Sequence, residues 1–134
     1  MQTARASFLV ALVFVAVARP QSSSGESAIL GNWSGDSICT QADSGCHNEK
    51  VIWRVAKLAD KPGWYAIRGD KIENGKAVSM GTLEFQWDAD THTIACTIPQ
   101  GTWRLTLAGT TLEGTLKRPD DRLFRKVILR KSEQ

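Results

Sequence analysis

From position 29 to the C-terminus, apolar side chains fall on every second position in short runs, and turn-forming residues separate the runs. Period 2 is the signature of a strand with one buried face, and almost nothing in this stretch repeats at the helical period. The spacing predicts eight strands, at 30–40, 50–59, 64–72, 77–87, 93–98, 102–107, 111–117 and 122–130. Asp60-Lys61-Pro62-Gly63 ends the second, and Asn74-Gly75 makes a tight hairpin after the third. Pro99-Gln100-Gly101, Ala108-Gly109-Thr110 and Arg118-Pro119-Asp120-Asp121 turn the later ones.

Short loops make successive strands antiparallel neighbours. Leu83, Phe85 and Trp87 share one face of the fourth strand, and Ile94, Cys96 and Ile98 one face of the fifth. Trp103, Leu105 and Leu107 line the sixth, and Leu112, Gly114 and Leu116 the seventh. The early strands alternate less cleanly, with Ile52 and Trp53 on opposite faces. A long one-sided meander has exposed edges unless it closes. At eight strands, closure leaves an interior filled by side chains or able to hold one small ligand. The expected fold is therefore all-β, an eight-stranded antiparallel up-and-down barrel.

The N-terminus changes the setting. Residues 1–7 are polar with one charge, Arg5, and 8–18 are an unbroken apolar run closing on Ala16-Val17-Ala18. That is the pattern of a secretory signal peptide, too short to span a bilayer. The chain is expected to be secreted or periplasmic, with 19–28 a flexible Ser-rich leader, 29–134 the barrel domain, and no membrane span once the signal is removed. Losing Arg5, with or without Arg19, lowers the net charge from +3 to +2 or +1. No basic face of the kind nucleic acid requires is present.

Three cysteines remain, and export makes oxidation of two of them the expectation. Cys39 and Cys46 bracket a polar, turn-forming segment and are the favoured pair, the alternative being either of them with Cys96. Cys96 lies on an apolar face and reads as a buried free thiol. Cys46-His47-Asn48-Glu49 resembles a metal or nucleophile cluster only in composition, because consecutive residues point in different directions and ligands must converge. The only other histidine, His92, falls in a turn. No metal site, no cofactor and no catalytic residue are assigned, and the expected protein is not an enzyme.

Leu30-Gly31-Asn32-Trp33-Ser34-Gly35 opens the first strand directly after the leader. It resembles the Gly-x-Trp signature that begins the first strand of lipocalins, avidins and related calycin barrels. The layout as a whole, with its early Cys pair, Met80-Gly-x-Leu-x-Phe and Leu112-Glu-Gly-Thr-Leu, is similar to small exported bacterial barrels of lipocalin-like type. The resemblance implies that Gly31 and Trp33 are structural, with Trp33 plugging one end. It also implies that a cation from the last strand lies across the indole. Arg125, on the face of Leu123, Val127 and Leu129, is the preferred cation, ahead of Arg130.

Five tryptophans in so short a chain serve as core filler, as pocket wall, or both. Trp87 and Trp103 are the candidate ligand-binding residues, each placed near a strand end where the barrel would open, with Met80 and Tyr65 as possible additions to the lining. Asp36, Glu49, Arg54, Arg68 and Arg104 read as solvated charges. The expected function is binding of a small, partly apolar ligand in the open end. The alternative is a protein-interaction or inhibitor module, a solid barrel acting through its disulfide-tied loop and hairpins. Interior volume separates the two: Trp33, Trp53, Trp87 and Trp103 all pointing inward would leave little room and favour the second.

Overall fold

Alternation and turn chemistry place the strands almost to the residue: β1 (Gly31–Cys39), β2 (Glu49–Lys57), β3 (Trp64–Glu73), β4 (Lys76–Asp88), β5 (Thr93–Ile98), β6 (Gly101–Ala108), β7 (Thr111–Lys117) and β8 (Leu123–Lys131). The structure, a computed structural model, describes residues 13, 15, 16, 26–41 and 45–132. Each strand pairs antiparallel with the next, and β8 pairs with β1 to close the barrel. Asn74 and Gly75 both take positive φ, the geometry that a two-residue hairpin turn demands. Apart from Val13, Val15 and Ala16, the expected signal segment lies outside the described residues, as does 19–25 of the leader. The end of that leader is structured, for Ser27–Ile29 form a 3-10 turn. Among the described residues no helix is long and apolar enough to cross a membrane.

Strand direction decides which residues share an end. Odd-numbered strands run one way and even-numbered strands the other, so the start of β1 meets the ends of β2, β4, β6 and β8. This is the closed end. Ile29 and Trp33 are fully buried there, and the Trp33 indole N–H donates to the Ile29 carbonyl at 2.9 Å. Gly31 takes φ +109°, and a Cβ on it would stand 3.3 Å from Lys131 Nζ, so glycine serves both the backbone and its neighbour.

The cation over the Trp33 ring is Lys131, 4.8 Å from the ring centroid, and not Arg125 or Arg130. Its ammonium also donates to the carbonyls of Ala28 and Leu30, tying the segment before β1 to the plug. The correction follows from register. Lys131 lies directly opposite Trp33, whereas Arg125 lies opposite Cys39 at the far end of the same strand pair. Arg125 instead donates to Ser37 Oγ at 2.9 Å and to the His47 carbonyl at 3.0 Å. It latches the segment after the disulfide onto β1. Cys39 and Cys46 form that disulfide, their Cα atoms 5.9 Å apart, and Cys96 is free but only half-buried.

On the outer wall, Arg54 and Arg68 face each other across β2 and β3, an unfavourable pairing of like charges. Asp70, fully buried between them at 3.4 and 3.3 Å, offsets the repulsion.

One part of the wall is not laddered. β4 pairs with β5 only through Gln86–Ala95, Trp87–Ile94 and Asp88–Thr93, while its opposite edge pairs with β3 along almost its whole length. The β3–β4 register shifts between Gly69 and Asp70, and Gly81 across from Gly69 takes φ +102°, a bulge that leaves Met80 without a partner on β3. Beyond Gln86, then, β4 and β5 form a seam that only side chains close.

Candidate functional site

The interior is layered. Trp33, Ile29, Tyr65, Leu107, Leu112 and Leu129 fill the closed end, all buried. Above them stands Trp53, buried, with its ring 6.1 Å from that of Phe85 and set edge-on to Trp103 at 5.2 Å. Trp33, Trp53 and Trp87 are buried and Trp103 packs half-buried against the core, so most of the barrel is solid, the outcome that counts toward the interaction reading.

What remains is a pocket of about 190 Å³ toward the open end. Trp53, Phe85 and Trp103 supply its aromatic walls, and Ile67, Leu83 and Met80 its aliphatic ones. Gly69 and Gly81 complete the lining, and no charged side chain takes part. The space depends on a missing side chain. A Cβ on Gly69 would meet Met80 Cε at 3.5 Å and Trp53 Nε1 at 3.8 Å, ordinary contact distances, so a larger residue there would grow into the cavity.

The structure brings together two of the four expected ligand residues, Trp103 and Met80. Trp87 takes no part in this pocket; it is buried at the closed end, its ring 6.0 Å from that of His92. The reason is strand direction: Trp87 ends a strand that runs toward the closed end, and Trp103 begins one. Among the described residues the Trp87 indole N–H is the one buried side-chain polar group without a hydrogen-bond partner.

Tyr65 is also a closed-end residue, 1% exposed, with its hydroxyl hydrogen-bonded to the Glu26 carboxylate. Burial first, and Glu26 second, push its phenol far above the tyrosine range. The folded protein thus keeps a proton that the unfolded chain releases near about pH 10. The stability this provides is complete below that pH and is lost as pH rises beyond it. Tyr65 is the only tyrosine of the chain, which makes the test clean. Tyrosinate absorbance should appear only together with unfolding; reversible ionisation near pH 10 in the folded protein would contradict the placement.

Sequence reasoning passed over Trp53, Ile67, Gly69, Leu83 and Phe85 as pocket residues. The signal for Trp53 was present in Val51-x-Trp53-x-Val55, all three of which are buried.

On the outside of the unladdered seam lies a second, larger concavity of about 630 Å³. Glu84 and Gln86 of β4, Thr97 of β5, and Thr102 and Arg104 of β6 line it, with Trp64 at one side. Lys61 covers the Trp64 ring at 4.3 Å and reaches Glu84 at 2.8 Å. Cys96 also lines this groove, and burial, with Glu84 adding to it, pushes its thiol above the cysteine range. Among the described residues, no three His, Cys, Asp or Glu side chains converge as a metal site would need.

Compared with protein-family models, with curated proteins and with solved structures, the chain matches none of them.

Proposed function

We propose that this protein is an exported, lipocalin-like barrel that binds a small uncharged apolar group, a single ring or a short branched chain, between Trp53, Phe85 and Trp103. The observation that carries the reading is the open-end pocket itself, walled by three aromatic rings and free of charge in a barrel otherwise filled. Its volume sets the size of the guest. An apolar cavity of roughly 150 Å³ holds one benzene ring, so about 190 Å³ fits a group of about that size. The disulfide Cys39–Cys46 fits an oxidising compartment and so supports export.

Calorimetric titration with phenol tests the reading. A ligand of so few atoms should bind with a Kd of about 0.1–1 mM, roughly −4 to −5.5 kcal/mol. Absence of binding at millimolar phenol would overturn it. A native mass above the denatured mass, for protein exported through an oxidising compartment, would further reveal the natural guest.

A second reading rests on a different observation. Residues 77–85 of β4 have no partner strand on the β5 side, and Ile72, Val78 and Met80 are exposed on the same hairpin. An extended segment of a partner protein could add to such an edge. Phenol would leave that partner in place.

A further inference from the structure

The pocket and the outer groove share one wall. On β4, Leu83 and Phe85 line the pocket while Glu84 and Gln86 line the groove. Across the seam, Trp103 lines the pocket while Cys96, its direct partner on the neighbouring strand, lines the groove. No main-chain ladder joins β4 to β5 at this height, since their last rung is Gln86–Ala95. Leu83, which lines the pocket, and Cys96, which lines the groove, are both half-buried and both pack against the core.

We infer that pocket and groove are two halves of one site, joined through the β4–β5 seam, and that the ligand is an amphiphile with a small apolar ring inside and an uncharged hydroxyl-rich head outside. This deepens the pocket reading and rests on it. The chemistry of each half names the matching half of the ligand. The inner one is mostly apolar and holds no charged side chain, so it excludes a charge, which could not be paired there. The outer one offers the Gln86 carboxamide, which donates and accepts, the Thr97 and Thr102 hydroxyls, which share one hydrogen bond at 3.2 Å and keep further capacity, and Arg104, which only donates. Glu84, already held by Lys61, and Asp88 accept, two carboxylates against the two cations Lys61 and Arg104. A head that must donate and accept at several points, with no net charge favoured, is a sugar or a similar polyol. The seam supplies the passage, because no ladder rung joins β4 to β5 beyond Gln86–Ala95 and parting the strands there breaks no rung.

Phenol and phenyl β-glucoside, titrated side by side, test the inference. The glucoside should bind about tenfold tighter than phenol. Gln86→Ala and Arg104→Ala should each weaken the glucoside several-fold and leave phenol unchanged. The glucoside head, lying over the seam, should also slow modification of Cys96 by a thiol reagent, and phenol, seated behind the seam, should not. A glucoside that binds no tighter than phenol, or that leaves Cys96 reactivity unchanged, would overturn the two-part site while the pocket stands. Failure of phenol itself to bind would overturn the pocket reading, and this inference with it.

Discussion

Replacing Trp33 by alanine should cost about 3–5 kcal/mol and lower the melting temperature by roughly 15–25 °C. The indole is fully buried, its N–H holds the Ile29 carbonyl, and its face carries the Lys131 ammonium. Removing it opens a cavity, leaves the Ile29 carbonyl short of a donor, and releases the segment that seals the closed end. Lys131→Ala should cost less, about 1–2 kcal/mol, through loss of the cation–π contact and of two hydrogen bonds to carbonyls. A double-mutant cycle identifies the partner. With Trp33→Phe, which keeps the plug largely filled, Lys131→Ala should be non-additive by several tenths of a kcal/mol or more, and Arg125→Ala should simply add. Coupling to Arg125 and none to Lys131 would refute the closed-end arrangement described here.

Gly69→Val should abolish phenol binding, weakening it at least about tenfold, while the protein becomes no less stable. The two effects have one cause. The pocket exists because Gly69 faces it without a side chain, and a Cβ there meets its neighbours only at ordinary contact distance. Valine would occupy the space the ring requires. Each buried methylene contributes about 0.8 kcal/mol, and a β-branched residue suits a strand better than glycine does. A net gain of about 1–2 kcal/mol is therefore expected, visible as a rise in melting temperature. Gly69→Ala should give an intermediate loss of binding. A folded Gly69→Val protein that binds phenol like the parent would show that the guest sits elsewhere. Gly81 is no substitute for this experiment, because its φ of +102° strains any side chain whatever space lies beside it.

Much of this molecule is legible without coordinates because strand formation and closure rest on local rules. Alternation at Leu83, Phe85 and Trp87, or at Leu112 and Leu116, sets which side of each strand is buried, and Asn74-Gly75 sets a hairpin of two residues. Eight such strands in series have no better way to remove their edges than to close. The Cys39–Cys46 pair could be favoured for the same reason, since its two ends are close in the chain.

What the sequence left open is position along the barrel axis. Arg125 and Lys131 occupy the same face of β8 with the same alternation, and only the β1–β8 register shows that one meets Trp33 and the other Cys39. Trp87 and Trp103 likewise read alike, yet on two strands of the same direction one ends its strand and the other begins its own, which puts them at opposite ends. The pocket depends on further nonlocal pairing, the β3–β4 bulge beside Gly69 and Gly81 and the short β4–β5 ladder. Period 2 reports which face a side chain takes; height, neighbour and seam are set by pairing between residues far apart in the chain, and that pairing exists only in the closed barrel.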